Sequence, residues 1–199
     1  MAGIRAAYNR ALASNPLRTK TLTSLTGFVL GDLVAQAPDM MDGKPWDAVR
    51  TGKLAAFGAC LHGPIGHYWY GFLDRTIMTA APTSAAAVAT KTAVDQILWA
   101  PIFTSVFFGS MKLMDGKPDE IVPEIEAKLW PTMLVNWKVW PIAHVINFRF
   151  VPSSQRILYI NFIQVGYNAF LSTMSNAPKK QAADEVPPPP AGLAEVLEK

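Results

Sequence analysis

Ionisable and amide side chains interrupt the apolar stretches of this sequence, and they are the residues whose chemistry could serve a function. A charged or amide group at membrane depth needs a polar partner or water to offset its desolvation. Such groups therefore line an aqueous path or form a network that holds helices together, and a network that lines a cavity does both. The residues predicted to form this pore or polar network are Asp32, Gln36, Lys91, Asp95, Gln96, Asn136, Lys138 and Asn147.

A second candidate is the sequence from residue 62 to residue 70, where glycine and proline interrupt an apolar stretch. Pro64 removes a backbone donor and Gly63 leaves space beside it, so a carbonyl that loses its hydrogen bond needs another partner or water. We predict that the helix breaks and re-forms here, and that Gly63, Pro64 and His67 form either a gate or a simple kink. The break should bring His67 and its aromatic neighbours against residues 137–147.

Neither catalysis nor metal binding is indicated by the remaining patterns. The three histidines are His62, His67 and His144. A helical metal pair needs i, i+4 spacing, whereas His62 and His67 are separated by one residue more and face different sides unless Pro64 re-phases the helix. The sequence contains no Gly-x-Ser-x-Gly elbow, phosphate loop or dinucleotide fingerprint. We therefore expect no enzyme activity, no catalytic residue, no cofactor and no bound metal.

The composition indicates lipid as the partner. Of the 199 residues, 50% are hydrophobic and 17% are charged, whereas soluble domains carry about 25% charged residues. The net charge of +3 is too small and too scattered for nucleic-acid binding, which needs a clustered basic face. The single cysteine, Cys60, excludes an internal disulfide. We therefore expect the chain to lie in a lipid bilayer and to bind no nucleic acid.

Five segments are apolar enough to be considered as membrane helices. Residues 54–73 form a run of 20 residues without Asp, Glu, Lys or Arg, which matches the ~20 residues needed to cross a bilayer. We predict an all-α integral membrane helical bundle of four to five transmembrane helices, with a soluble helical bundle as the alternative. A second uncharged segment is 157–178, and two further segments, 19–37 and 92–114, carry isolated charges. The last segment, 129–148, is the doubtful crossing because it contains Pro131 and Pro141.

Both ends of the chain differ in composition from the predicted bundle, which covers residues 19–175. Residues 1–18 contain arginines but no acid, and their apolar residues recur every four positions from Ile4. This pattern is typical of a short N-terminal helix at the lipid interface, with a mitochondrial targeting segment as the alternative. Residues 176–199 are proline-rich and polar, and we expect them to form an extended or disordered tail.

Small residues recur at a spacing of one helical turn in two of the predicted membrane helices. Gly27 and Gly31 form one such pair, and Ala55, Ala59 and Gly63 continue the same spacing in the next segment. Small residues one turn apart let two helix backbones approach closely, which drives packing in lipid. The two possibilities are packing within the chain and a face for a second copy.

Several of these motifs, taken in order, resemble a known family. The most specific group is Trp137-x-x-Trp140-Pro141, followed by Asn147-Phe148, Val151-Pro152 and Arg156. Together with the earlier residues Gly31, Asp32, Gln36, Gly63, Pro64, His67, Lys91, Asp95 and Gln96, it is similar to the Mpv-seventeen and 22-kilodalton peroxisomal membrane protein family. The resemblance covers residues 8–172. The sequence departs from the family at His144, where Gln is usual, and at Tyr167, where Trp is usual.

This resemblance implies a small integral protein of organelle membranes without enzyme activity. Some members are similar to weakly selective channels, so we expect a weakly selective channel for small hydrophilic solutes that supports metabolite homeostasis, as a homo-oligomer or through its own interior. The alternative is a structural or accessory subunit, or an assembly factor, of a larger mitochondrial membrane complex. The acid-free start favours the mitochondrial inner membrane, with a peroxisomal or plastid membrane as the alternative.

Overall fold

The computed structural model describes residues 2–168, and within that range every regular element is a helix. The predicted all-α class is therefore confirmed. The predicted tail, residues 176–199, and the end of the last predicted span lie outside the described residues. The helices are α1 (Ala2–Ser14), α2 (Pro16–Met41), α3 (48–76), α4 (Ala85–Met114), α5 (Ile121–Asn136), α6 (Trp140–Phe150) and α7 (156–168).

Local sequence signals determine where the helices begin. Pro16 occupies the first turn of α2, where a missing N–H costs nothing. The side chain of Asp47 accepts a hydrogen bond from the backbone of Arg50 at the start of α3, and the side chain of Ser84 caps α4 in the same way. Gly43 follows α2 with φ +83°, a conformation that favours glycine. These signals bring α2 and α3 together as an antiparallel pair.

Two long helices, α3 and α4, each contain a π turn followed by a proline. In α3 the π turn is Gly58–His62 and precedes Pro64; in α4 it is Val94–Trp99 and precedes Pro101. The i→i+5 hydrogen bonds lie just before the proline, which has no backbone N–H, so the helix loses a regular hydrogen bond at this place with or without the π turn. Near Gly63 and Pro64 the α bonding is interrupted by the π turn and resumes at Gly63, while helical conformation continues from residue 48 to residue 76. The choice between a gate and a simple kink stays a prediction.

The placement of His67 differs from the prediction. Its Nδ1 lies 3.0 Å from Nζ of Lys20 on α2, so it does not face residues 137–147. His62 contacts the same helix, since its Nδ1 lies 2.9 Å from Oγ of Ser24. Both histidines thus face α2, on either side of the contact between Gly63 and α2.

Close contacts at glycine hold α2 against its neighbours. A Cβ atom on Gly63 would lie 2.7 Å from Cα of Thr21, so the backbones of α2 and α3 nearly touch there. Cβ atoms on Gly27 and Gly31 would overlap Asn161 and Asn168, both on α7. These three glycines therefore pack within the chain. At the same end of α2 as Thr21, helix α1 packs alongside it, with Tyr8 Oη 3.0 Å from Thr23 Oγ1.

Helices α5 and α6 together run antiparallel to α4. The second half of α4, Ala100–Met114, packs on α5, and its first part, Ala85–Ala93, packs on α6. The doubtful crossing at residues 129–148 is therefore a pair of helices joined by a turn at residues 137–139. Lys138 is exposed in this turn.

Among the described helices, one, Ala85–Met114, is long and apolar enough by length and hydropathy to cross a membrane. Lys20, Asp32 and several threonines lower the hydropathy of α2, and histidines, glycines and Pro64 lower that of the uncharged run in α3. The turn at residues 137–139 divides the α5–α6 pair. The number of crossings, four to five, therefore stays a prediction.

Candidate functional site

A cavity of about 670 Å³ lies between α2 and the helices from α3 to α7. Its lining residues on α3 run from Arg50 to Tyr70, a distance of about 30 Å along the helix axis. Helix α4 lines the opposite wall in the reverse direction, because Phe107 contacts Phe57 whereas Trp99 stacks on Trp69. This volume and length are those of a ligand-sized site that runs along the bundle.

The mouth of the cavity lies at the α2–α3 turn and carries an ion pair. Asp32 is buried, and its Oδ1 lies 2.8 Å from Nε of Arg50, whose side chain is 51% exposed. Its other oxygen accepts hydrogen bonds from Gln36 Nε2 (2.7 Å) and Thr51 Oγ1 (2.5 Å). The Gln36 side chain also accepts a bond from the backbone N–H of Asp47. The network fixes the α2–α3 turn while its arginine reaches solvent.

Aromatic rings form the middle of the cavity. Phe57 contacts Phe28 and Phe107 edge-to-face, with centroids 5.4 and 5.1 Å apart. Phe103 stacks beside Trp99 at 5.8 Å. These rings give the walls between the two polar ends an apolar, flat surface.

A buried carboxylate, Asp95, lies at the inner end. The indole Nε1 of Trp69 donates to its Oδ1 (2.7 Å) and the amide of Gln96 donates to its Oδ2 (2.9 Å). Nε2 of His144 lies 3.2 Å from the same Oδ2. Nearby, the Trp137 indole donates to the Gln96 carbonyl at 3.1 Å, which ties the 137–139 turn to the π turn of α4. Helix α3, helix α6 and the 137–139 turn thus converge on the π turn of α4.

Beyond Tyr70 the cavity is closed by apolar side chains. Tyr70, Leu73, Phe148, Ile157 and Ile160 form one buried cluster where α3, α6 and α7 meet. Tyr70 and Ile160 line the cavity, whereas the other three lie behind them, outside its lining. The cavity therefore ends at an apolar barrier.

An ion-pair cluster lies on the far side of this barrier. Oδ1 of Asp74 accepts from Lys91 Nζ (2.7 Å), and its Oδ2 accepts from Arg156 Nη1 (2.6 Å). Burial alone would raise the pKa of Asp74, but the hydrogen bonds from Arg156 and Lys91 outweigh it and lower the pKa to about 2. Asp74 is therefore ionised at physiological pH and joins α3, α4 and α7.

The structure brings together only part of the predicted polar set. Asp32, Asp95, Gln96 and Asn136 line the cavity, and Asn136 accepts a hydrogen bond from Tyr167. Gln36 supports Asp32 from behind.

The other predicted residues lie away from the cavity. Lys91 belongs to the Asp74 cluster, and Asn147 is buried, with no hydrogen-bond partner for its side-chain nitrogen or oxygen within the described residues. Lys138 is exposed. Gly63 packs on α2, as described above, and neither Pro64 nor His67 appears in the cavity lining.

Sequence reasoning missed the aromatic wall and the two charged or titratable partners, Arg50 and His144. Arg50 lies outside the uncharged run 54–73, and its approach to Asp32 depends on the α2–α3 turn. His144 follows Trp140 by four residues on α6, and this spacing is the one signal that placed it on the face of Trp140. No group of three or more His, Cys, Asp or Glu side chains between residues 2 and 168 is arranged to hold a metal ion.

Comparisons with known proteins give a consistent result. A family model described as the Mpv17 / PMP22 family matches residues 112–172. The chain is 35% identical to Protein SYM1 of Gibberella zeae over 85% of this chain and 95% of that protein. It is 35% identical to PXMP2/4 family protein 3 of Dictyostelium discoideum over 84% of this chain and 89% of that protein.

A more distant relative matches over a longer stretch. Protein SYM1 of Saccharomyces cerevisiae is 31% identical over 90% of this chain and 93% of that protein. No solved structure matches the chain.

Proposed function

This chain belongs to the Mpv17 / PMP22 family of membrane proteins, and we propose on that basis that it forms a passage for small hydrophilic solutes across an organelle membrane. The observation that carries the proposal is the cavity of about 670 Å³, which has Asp32 and Arg50 at one end and Asp95 at the other. Buried charges in a membrane helix are costly unless they face protein or water. A water-filled path explains why these groups lie along one cavity.

The proposed arrangement in the bilayer has four crossings, α2, α3, α4 and the α5–α6 pair, with α7 as a fifth helix in contact with them. Large apolar side chains that face outward support it, because lipid covers such surfaces. Ile97 and Phe162, for example, are 73% and 75% exposed. The broken α5–α6 pair is tolerated at membrane depth because its turn is tied to α4 by the indole of Trp137.

In this arrangement the structure represents a closed state. The mouth is open at Arg50, and the apolar cluster around Leu73 and Phe148 closes the other end. An apolar constriction can stop conduction by excluding water. Passage of a solute therefore requires the contacts between α3, α6 and α7 to separate.

Reconstitution into planar bilayers tests the proposal. The full-length protein should produce conductance above that of empty bilayers, and Ala100→Leu should reduce it, because Ala100 lines the cavity. The matched control is Ala86→Leu, on the same helix at an exposed position outside the lining. If the folded protein leaves the bilayer at its background conductance, the proposal is wrong. If both variants lose the same amount of conductance, the solute path does not run through the cavity.

We place the protein in the mitochondrial inner membrane, as the acid-free N-terminal helix suggests. Fluorescent tagging of the full chain at its C-terminus, with mitochondrial and peroxisomal markers, tests this location. Purification in mild detergent tests the accompanying expectation of a homo-oligomer. Stoichiometric co-migration of other chains would instead favour an accessory subunit of a larger complex.

A further inference from the structure

The inner end of the cavity holds a carboxylate that no lysine or arginine of the described chain neutralises. Asp95 is 2% exposed, and within residues 2–168 the side chains on it are those of Trp69, Gln96 and His144. Lys91 lies one helical turn earlier, but its Nζ is directed to Asp74. A buried negative charge without a cationic partner is unfavourable, and a cation that enters the cavity would relieve it.

Hydrogen-bond acceptors accompany this carboxylate. Gln96 Oε1 and His144 Nδ1 are buried and have no hydrogen-bond partner among residues 2–168. Gln96 is oriented by its donor bond to Asp95, which directs its oxygen elsewhere. When His144 donates from Nε2 to Asp95, its Nδ1 is an acceptor. These three side chains therefore offer unused acceptors at one end of the cavity, and a ligand that satisfies them must bring donors.

The walls beside this end are aromatic. Trp99 lines the cavity one turn after Asp95, and Phe103 follows at the next turn and stacks with it. Aromatic faces attract cations and pack well against flat apolar groups. At the mouth, the charge of Arg50 offsets that of Asp32. Of these two acids, Asp32 and Asp95, it is therefore Asp95 at the inner end whose negative charge has no lysine or arginine beside it in the described chain.

We propose that the cavity binds a small organic cation with a flat apolar body, the ammonium group lying against Asp95 and the Gln96 oxygen and the body along the aromatic wall that Trp99 and Phe103 form. Such cations would be the solutes that the proposed passage carries, so the physiological meaning of the site rests on that proposed function. An inorganic cation would leave the aromatic walls unused. An anion would meet the acceptors and the carboxylate, and a neutral ring would leave the charge of Asp95 unmatched.

Three probes of similar shape and different charge test the proposal without a membrane. The full-length protein in mild detergent is titrated calorimetrically with 2-phenylethylammonium, 2-phenylethanol and 3-phenylpropionate. The ammonium compound should bind at least tenfold more tightly than the alcohol, and the carboxylate should bind least. Equal affinity for all three compounds, or preference for the anion, overturns the proposal.

Variants assign the preference to the site. Asp95→Asn should remove the difference between the ammonium compound and the alcohol, whereas Asp119→Asn, at an exposed acid, should leave it unchanged. Phe103→Leu should weaken both compounds by a similar factor, because it removes an aromatic wall and no charge. This second variant decides the matter if Asp95→Asn does not fold: unchanged binding in Phe103→Leu places the compounds elsewhere and refutes the site.

Bilayer measurements keep the two proposals separate. Conductance in bilayers, combined with equal binding of the three compounds in detergent, leaves the passage standing and overturns the binding site. Preferential binding in detergent without conductance leaves the binding site standing and overturns the passage.

Discussion

Replacing Gly63 by alanine tests whether the close approach of α2 and α3 matters for stability. The new Cβ would lie 2.7 Å from Cα of Thr21, about 1 Å less than the 3.5–4.0 Å at which carbon atoms pack best. Since Cα of Thr21 belongs to the backbone, it cannot rotate away, and the helices must separate. Overpacking costs up to about 3 kcal/mol, and the better helix propensity of alanine returns about 1 kcal/mol. We expect a net loss of about 2 kcal/mol.

Thermal unfolding of the purified protein in detergent, followed by circular dichroism, measures this loss. For a chain of this length it corresponds to a decrease in Tm of about 4–8 °C. Gly52→Ala is the matched control on the same helix, because a Cβ atom there meets no atom within 4 Å. The control should be as stable as the native chain or slightly more stable. Equal Tm values for the two variants would refute the close packing of α2 and α3 at Gly63.

Two further predictions concern buried polar groups. Asp74→Asn should lower the free energy of unfolding at pH 7 by about 3 kcal/mol, because Lys91 loses its ionic partner. The pKa of Asp74 is depressed to about 2 in the folded protein, so its contribution to the free energy of unfolding is complete above pH ~4 and is lost as the pH falls towards 2. If the difference in unfolding free energy between the native and variant proteins does not shrink over this range, the ion pair is wrongly assigned. Trp69→Phe should cost about 1–3 kcal/mol, because Asp95 loses a hydrogen bond inside the protein. Trp130→Phe, at an exposed ring, should cost less than 0.5 kcal/mol in the same denaturation series, and equal losses would argue against the Trp69 bond.

The helices could be predicted from the sequence because their apolar runs and start signals are local. Pro16, Asp47 and Ser84 each act within one turn of the helix that they begin. The polar residues at membrane depth were also identifiable, since Asp32 and Asp95 stand out in apolar surroundings. Local signals of this kind need no knowledge of which helices touch.

The partners of those polar residues could not be predicted, because they come from distant parts of the chain. Asp95 meets Trp69 and His144 only after three helices have packed. Helical periodicity also fails across the π turns, where side chains change their phase. His62 and His67 lie on different sides of α3, yet both contact α2 because that helix packs closely on Gly63 between them. Proline indicated a disturbance near Gly63, but the wider turn before it has no local sequence signal that we recognised.

The π turn Gly58–His62 has a consequence for how α3 can change its length. An i→i+5 turn contains one residue more than an α turn, so it is equivalent to a one-residue insertion that the helix has absorbed. Deleting a residue within it would restore α bonding and leave both flanking segments facing their present neighbours. The same deletion near Tyr70 would rotate everything beyond it by about 100° and turn Asp74 away from Lys91. Length variation in this helix should therefore be tolerated at the π turn and rejected elsewhere.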